Sequence, residues 1–430
     1  MIEEGKTMTQ SVLTARRWVG LWMCMIPLLV GASPSPRLSG SDLLPAPAFD
    51  AGNHVPTRKG WALNEGRAET FRNVAEIIPT RRVATSDTAY PLKRAAKPLS
   101  LSYAFGGAQH SIEEFVRRTE TTGLLILKGD VILYEGYYLG ADDKDTFQSF
   151  SAGKSFVSTL VALARADGKI KNFEEPISQY LPELKGSAYE HAKIRDVLQM
   201  ASGTSYREEY ENPDSDIAEF ARITDVNEGG LYDFARSFKS IRPPGTKFYY
   251  ASADTEILGV LVSRVTGQSL SAYMSERLWK PLGAEAPARW AIDAPGSRGR
   301  EIAAGALQVT LRDYGRFGLL YARDGKVGDR RLLPAGWVAE ATIPSAPYVD
   351  YGKLDSGDAS DDPSGYGYQW WCIPDAHHSF SAEGIHGQFV MVDPVTQIVV
   401  VKLSAWSHAW DDPMAEETMA FFEAVVTGIQ

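Results

Sequence analysis

The sequence predicts an α/β fold: an antiparallel sheet flanked by terminal helices, plus a mostly helical lobe. Strand–turn–strand patterns stand near both ends of the body. "GLLILKGDVILYEGYYLG" turns at Gly129-Asp130, and "GQFVMVDPVTQIVVVKLS" turns at Asp393-Pro394, each an apolar, β-rich run broken by turn residues. A helical pattern precedes the first hairpin and another follows the second. Between the hairpins, apolar residues recur at helical spacing. The simplest packing joins both hairpins in one sheet, covers it with the terminal helices and gathers the central helices into a second lobe. The cleft between lobes is then the default place for a site.

The elements follow in order. "SIEEFVRRTE" opens with a capping box, Ser111 to Glu114, and predicts a helix. "FVSTLVALARADG" is a helix closed by Gly168, and "KIRDVLQMASG" a short one stopped at Gly203. "DTEILGVLVSRVTG" takes Asp254 as its cap and Gly267 as its stop. "TLRDYGRFGLLYARDG" adds another helix, and the last begins at Asp412-Pro413.

The 430 residues suit more than one structural unit. A charged fraction of 23% and a formal net charge of −10 fit a water-soluble protein with no basic nucleic-acid face. Residues 1–32 read as a signal peptide: Arg16 and Arg17 precede "WVGLWMCMIPLLVGA", an apolar run too short to span well that ends in small residues near Ala32. Export to the periplasm is expected, with a membrane anchor as the alternative and no other stable membrane partner. Residues 33–98, rich in Pro, Ser, Ala and Arg, read as a linker or loosely packed extension. The folded body would be 99–430, with the helical lobe inserted at about 169–289. Cys24 lies in the signal, which leaves Cys372 alone as a small core residue and excludes a disulfide in the mature chain.

"FSAGKSFVSTLVALARADGKI" carries the chemistry. If Ser151 starts a helix, Lys154 lies one turn on and shares its face. A serine hydroxyl becomes a useful nucleophile when a neighbour takes its proton. A lysine can do so when burial or positive potential lowers its pKa, and a helix N-terminus supplies such potential. In "PPGTKFYYASADTEILG", Tyr250 and Ser252 would face the same way in an extended segment, a phenol to relay a proton and a hydroxyl to hold the amine. In "AEGIHGQFVMVD", glycines flank Ile385-His386 before an apolar strand, whose edge can offer an N–H to an oxyanion beside the Ser151 N–H. No Gly-x-Ser-x-Gly elbow accompanies a Ser-His-Asp reading. His377-His378 lacks a spaced ligand set, and "DSGDASDD", Asp355 to Asp362, lacks the terminal Glu of a calcium loop.

In this order, the three elements resemble the serine β-lactamase and penicillin-recognising superfamily, class C enzymes above all. The 6-aminohexanoate-dimer hydrolases and the esterases are especially similar. "ISQYLPEL", "IRDVLQMASG" and "GYGYQWW" extend the resemblance from about Leu101 onward. It implies a β-lactamase-like fold and a serine hydrolase cleaving an ester or amide, with Ser151 as nucleophile and Lys154 and Tyr250 as the proton-handling pair. It further implies an oxyanion hole from the Ser151 and Ile385 amides, with Ser252, His386, Gly387, Trp371 and Tyr210 as supporting or substrate-binding residues. The lactamase lysine-threonine-glycine strand is matched by His386-Gly387-Gln388. The missing lysine implies weak β-lactamase activity. No cofactor or metal is implied, and the partner is a small-molecule ester or amide. The alternatives are a β-lactamase, a D-Ala-D-Ala peptidase, or a non-catalytic peptide or cell-wall binding module on the same fold.

Overall fold

The computed structural model describes residues 66–97, 99–354 and 363–429. The expected signal, residues 1–32, and the Asp355–Asp362 loop lie outside the described residues. No helix among the described residues is long and apolar enough to cross a membrane.

Alternation along each strand sends neighbouring side chains to opposite faces. Leu124 and Ile126 pack in one core with Phe389, Met391, Ile398 and Val400. Leu125 and Leu127 pack in the other with Val390, Val392, Val399 and Val401. Both faces are buried, so the strands read as nearly continuous apolar runs. The two expected hairpins, Thr121–Lys128 with Val131–Tyr137 and Gln388–Asp393 with Ile398–Ser404, join through antiparallel pairing of Ile398–Ser404 with Thr121–Lys128. Phe380–Gly384, Trp371–Cys372 and Gly365–Tyr366 extend this eight-stranded sheet on one side, and Lys93–Arg94 closes the other in parallel.

The terminal helices Ile112–Arg118 and Asp412–Gly428 cover one face, with Phe115 stacked on Phe421 at 4.0 Å. Ser111 and Glu114 form the expected capping box. The last helix is capped by Asp411 rather than Asp412, so that Pro413 takes the second helical position, where a missing N–H costs little. Helix Leu311–Ala322 lies against the other face, and helix Lys154–Ala166 packs on it, Phe156 stacking on Phe317 at 3.7 Å. The chain from Ile177 to Leu282 is helical and turn structure.

Part of the expected linker is built into the body. Thr80–Val83 pairs with Ala288–Ala291 in a second, four-stranded sheet. Phe71, Val74, Ile78 and Val83 are buried. Composition misled here, because a few apolar residues on short elements suffice to dock a segment that lacks long periodicity. This small sheet ends in Thr146–Gln148, which delivers the chain directly to Ser151.

Candidate active site

Residues Phe150–Gly153 form one tight 3₁₀ turn that runs into helix Lys154–Ala166. Ser151 therefore sits in the turn before the α-helix, and Lys154 is its first residue. The entry is held from several sides: the Ser149 N–H donates to the Leu307 carbonyl at 2.8 Å, and the Gln148 N–H to that of Phe71 at 3.1 Å. Phe150 is driven to φ +43°, a conformation that costs a bulky residue about 1–3 kcal/mol and concentrates at functional sites.

Lys154 leaves 1% of its surface exposed. Its Nζ lies 2.7 Å from Ser151 Oγ and donates to the Ala304 carbonyl at 2.6 Å. Burial pulls its pKa down to about 8, against the opposing pull of the Glu208 and Glu256 carboxylates. Glu256, on helix Ser252–Thr266, is buried, accepts the Ala304 N–H at 2.7 Å, and is itself raised to about 8 by burial. One residue, Ala304, thus holds the acid through its N–H and the amine through its carbonyl.

The Tyr250 and Tyr210 hydroxyls both lie near enough to Ser151 for its hydroxyl to act on their titration. Burial, reinforced by Glu208, pushes both phenols upward, so each stays neutral over the range in which Lys154 titrates. The Tyr250 ring stacks on Trp371 at 5.8 Å, and Lys154 Nζ lies 5.2 Å from its centroid. Tyr210 keeps an outer edge open, with 38% of its surface exposed at the cleft mouth.

A bare glycine edge supplies the remaining wall. A Cβ on Gly384 would meet the Ser149 carbonyl oxygen at 2.5 Å, and one on Gly305 would meet the Phe150 carbonyl at 2.7 Å. Only glycine allows strand Phe380–Gly384 so close to the nucleophile turn. This approach brings the next residue, Ile385, to the nucleophile turn, where it packs against the cluster that holds Phe150. Among the described residues, neither the Ser151 nor the Ile385 N–H has an acceptor within the protein. Two free donors beside a serine, bonded to a buried amine, can hold the oxygen of a tetrahedral intermediate.

The model of the β-lactamase family matches residues 108–423. The chain belongs to the β-lactamase family. It is therefore a serine hydrolase with a β-lactamase-like fold, as the motifs implied. The 6-aminohexanoate-dimer hydrolase of Paenarthrobacter ureafaciens is 30% identical to it over 358 residues, 82% of this chain and 88% of that one. A solved Bacillus anthracis structure, provisionally named a 6-aminohexanoate-dimer hydrolase, superposes with a TM-score of 0.75 at 21% identity, covering 86% of this chain and 96% of that one. A solved class C β-lactamase shares the fold at a TM-score of 0.51 and 17% identity over 74% of this chain and 94% of its own.

In this β-lactamase family member, Ser151, Lys154, Tyr250, Tyr210 and Trp371 come together, and Ile385 packs beside the Phe150 turn. Three other expectations need correction. The Ser252 hydroxyl and amide both donate to Glu208, at 2.7 and 2.8 Å, so Ser252 holds that carboxylate rather than the amine. His386 is buried beneath the turn, with Nδ1 2.8 Å from the Trp406 carbonyl and a pKa lowered to about 4 by burial. Gly387 packs against the Trp406 indole, where a Cβ would come within 2.4 Å. Neither residue lines the cleft. The residues that approach the serine are Glu383-Gly384, three positions before the expected match, because the strand ends at Gly384 and His386 already turns back at φ +59°. Asp254 is likewise not a helix cap. The helix starts at Ser252, and Asp254 is buried, accepting from Ser202 and Tyr189, with its pKa raised to about 7 by burial.

Sequence reasoning gives the acidic loop from Glu208 to Asp216 as a place that could attract a substrate ammonium, without singling out Glu208. Its carboxylate accepts the first amide of helix Ser252–Thr266, the Ser252 hydroxyl and, at 2.7 Å, the Tyr210 hydroxyl. A carboxylate is favoured at that helix N-terminus, which Ala251 cannot cap. In "YREEYENPDSD" nothing separates Glu208 from its solvated neighbours. Because the Glu208 charge raises the Lys154 pKa, Glu208→Gln is expected to move the acid limb of the pH–kcat/KM profile to lower pH. Profiles from pH 5 to 10 check this; an unmoved limb, or one moved upward, contradicts the coupling.

Proposed function

We propose that the protein hydrolyses esters or amides of neutral or cationic acyl groups through an acyl-enzyme on Ser151. The observation that carries this reading is the 2.7 Å contact between Ser151 Oγ and a buried amine whose pKa is drawn down to about 8. The neutral Lys154 amine takes the Ser151 proton as Oγ bonds to the substrate carbonyl carbon. The carbonyl π pair moves onto oxygen, which accepts from the Ser151 and Ile385 amides. The phenol of Tyr250, kept protonated by burial, gives its proton to the leaving group as the C–O or C–N bond breaks, and recovers one from Lys154. Water then enters by the reverse route and frees the acid. The low amine pKa and the high phenol pKa support lysine as base and tyrosine as acid.

Charge narrows the substrate. Glu383 and Glu208 both act on Tyr250. Two carboxylates at the cleft disfavour the carboxylate that β-lactams carry and favour a neutral or ammonium-bearing acyl chain. The name of the Paenarthrobacter relative, a hydrolase of the 6-aminohexanoate dimer, agrees with such a substrate.

A panel of p-nitrophenyl acetate and butyrate, linear 6-aminohexanoate dimer, a D-Ala-D-Ala peptide and nitrocefin tests the proposal. The short esters are expected to turn over, with nitrocefin at least about 100-fold poorer in kcat/KM, the discrimination of one misplaced charge. Nitrocefin as the best substrate would overturn it. Failure of a fluorophosphonate to label Ser151, with ligand binding retained, would point to a binding module instead.

A further inference from the structure

We propose that Phe71, on the segment ahead of the matched family region, is a positioning residue for the oxyanion hole. The inference rests on the reading of Ser151 as nucleophile and concerns what holds its amide in place.

Each residue that gives its amide to the hole has a chain neighbour in the left-handed region. Phe150, at φ +43°, shares a peptide unit with the Ser151 N–H, and His386, at φ +59°, follows Ile385. L-residues of this bulk do not stay there unless their surroundings hold them. The Phe150 and His386 rings pack on each other at 5.2 Å. Phe71 packs on both, edge-on to Phe150 at 4.9 Å and tilted on His386 at 5.3 Å. Ala68 and Ile385 pack against the same small cluster, which stands apart from the main cores. The segment is pinned where it matters: the Gln148 N–H donates to the Phe71 carbonyl at 3.1 Å, and Arg67 Nε to the Ala405 carbonyl at 3.4 Å. His386 is fixed below by its bonds to Ala409 and Trp406. Phe71 is the ring that ties the two strained residues, on distant stretches of chain, into one rigid back wall.

Without that ring, Phe150 can relax toward negative φ and the Ser151 N–H swings off the oxyanion. Misplacing a catalytic donor by about 1 Å costs on the order of 10²-fold in rate. Phe71→Ala is therefore expected to lower kcat for a p-nitrophenyl ester by about 10- to 100-fold with KM within about threefold, because the hole acts mainly in the transition state. Affinity for a phenylboronic acid, whose tetrahedral adduct needs the same two amides, should fall by the same factor. Phe71→Leu, which refills most of the volume, should restore most of both. Val74→Ala, an equally buried truncation on the same segment, should leave kcat within about twofold.

Wild-type kcat and boronate affinity in Phe71→Ala overturn the proposal, as does an equal loss in Val74→Ala, which would mean general destabilisation. If Phe71→Ala does not fold, Phe71→Val, which leaves more of the ring's volume empty than leucine does, decides: kcat and boronate affinity must fall together, and a loss in one alone or in neither overturns it. A wild-type protein that takes no fluorophosphonate on Ser151 removes the nucleophile reading and this proposal with it. A labelled, active wild type with insensitive Phe71 variants removes the positioning role alone.

Discussion

Ser151→Ala is expected to lower kcat/KM for a p-nitrophenyl ester by at least about 10⁴-fold, down to whatever binding and the free amides can do alone. The variant keeps the turn, the Lys154 amine and both amide donors. What it loses is the oxygen 2.7 Å from the Lys154 amine, the one that also acts on Tyr250 and Tyr210. Ester affinity should remain near wild type, since the ring of Trp371 and the cleft walls are untouched. Stopped-assay turnover and calorimetric binding of a slow amide check the two halves. Turnover within about tenfold of wild type would place the chemistry elsewhere, because a missing nucleophile cannot be replaced by positioning alone.

Lys154→Met should cost about 10³- to 10⁵-fold in kcat/KM, nearly as much as the serine change, because groups that act as a unit do not contribute additively. The pH profile separates its role from packing. In the wild type, kcat/KM should rise with pH up to about 8, where the amine becomes neutral, and then level off. In Lys154→Met that limb should vanish. Stability should move the opposite way. A lysine whose folded pKa is about 8 binds its proton less tightly than the unfolded chain, for which the ordinary value is 10.5. Wild-type stability therefore rises as pH climbs from 8 to 10.5, by about 3 kcal/mol for such a shift. Methionine has no such penalty. At pH 7 Lys154→Met should be at least as stable as wild type in urea, and its advantage should shrink over that window. An advantage that grows with pH would mean the amine is not desolvated as the structure has it. Activity and stability that diverge in this way mark a residue kept for chemistry.

Most of the fold was legible along the chain. Hairpins declared themselves at Gly129-Asp130 and Asp393-Pro394, and helix ends at Ser111 and Gly267, because turns and caps are settled by residues a few positions apart. The nucleophile pair was legible for the same reason: three residues along a turn always share a face. Errors arose where a local rule met a tertiary contact. Asp254 has the chemistry of a cap, yet the helix begins two residues earlier because Glu208 reaches in from another loop to accept its first amide. His386 was misread because the family match set it where the lactamase strand carries its lysine. Its positive φ turns it under the site instead.

Taken alone, the sequence determined the secondary elements, the serine–lysine spacing and the family. The tertiary structure decided which carboxylate faces the amine, which amides face the oxyanion, and that Phe71 backs them. The division has a physical origin. Helix and turn preferences act over a few residues, whereas the Lys154–Ala304 bond spans 150 residues and the Gln148–Phe71 bond joins a segment whose composition reads as linker. Such contacts are chosen by packing of the whole chain and leave no periodic trace at either end.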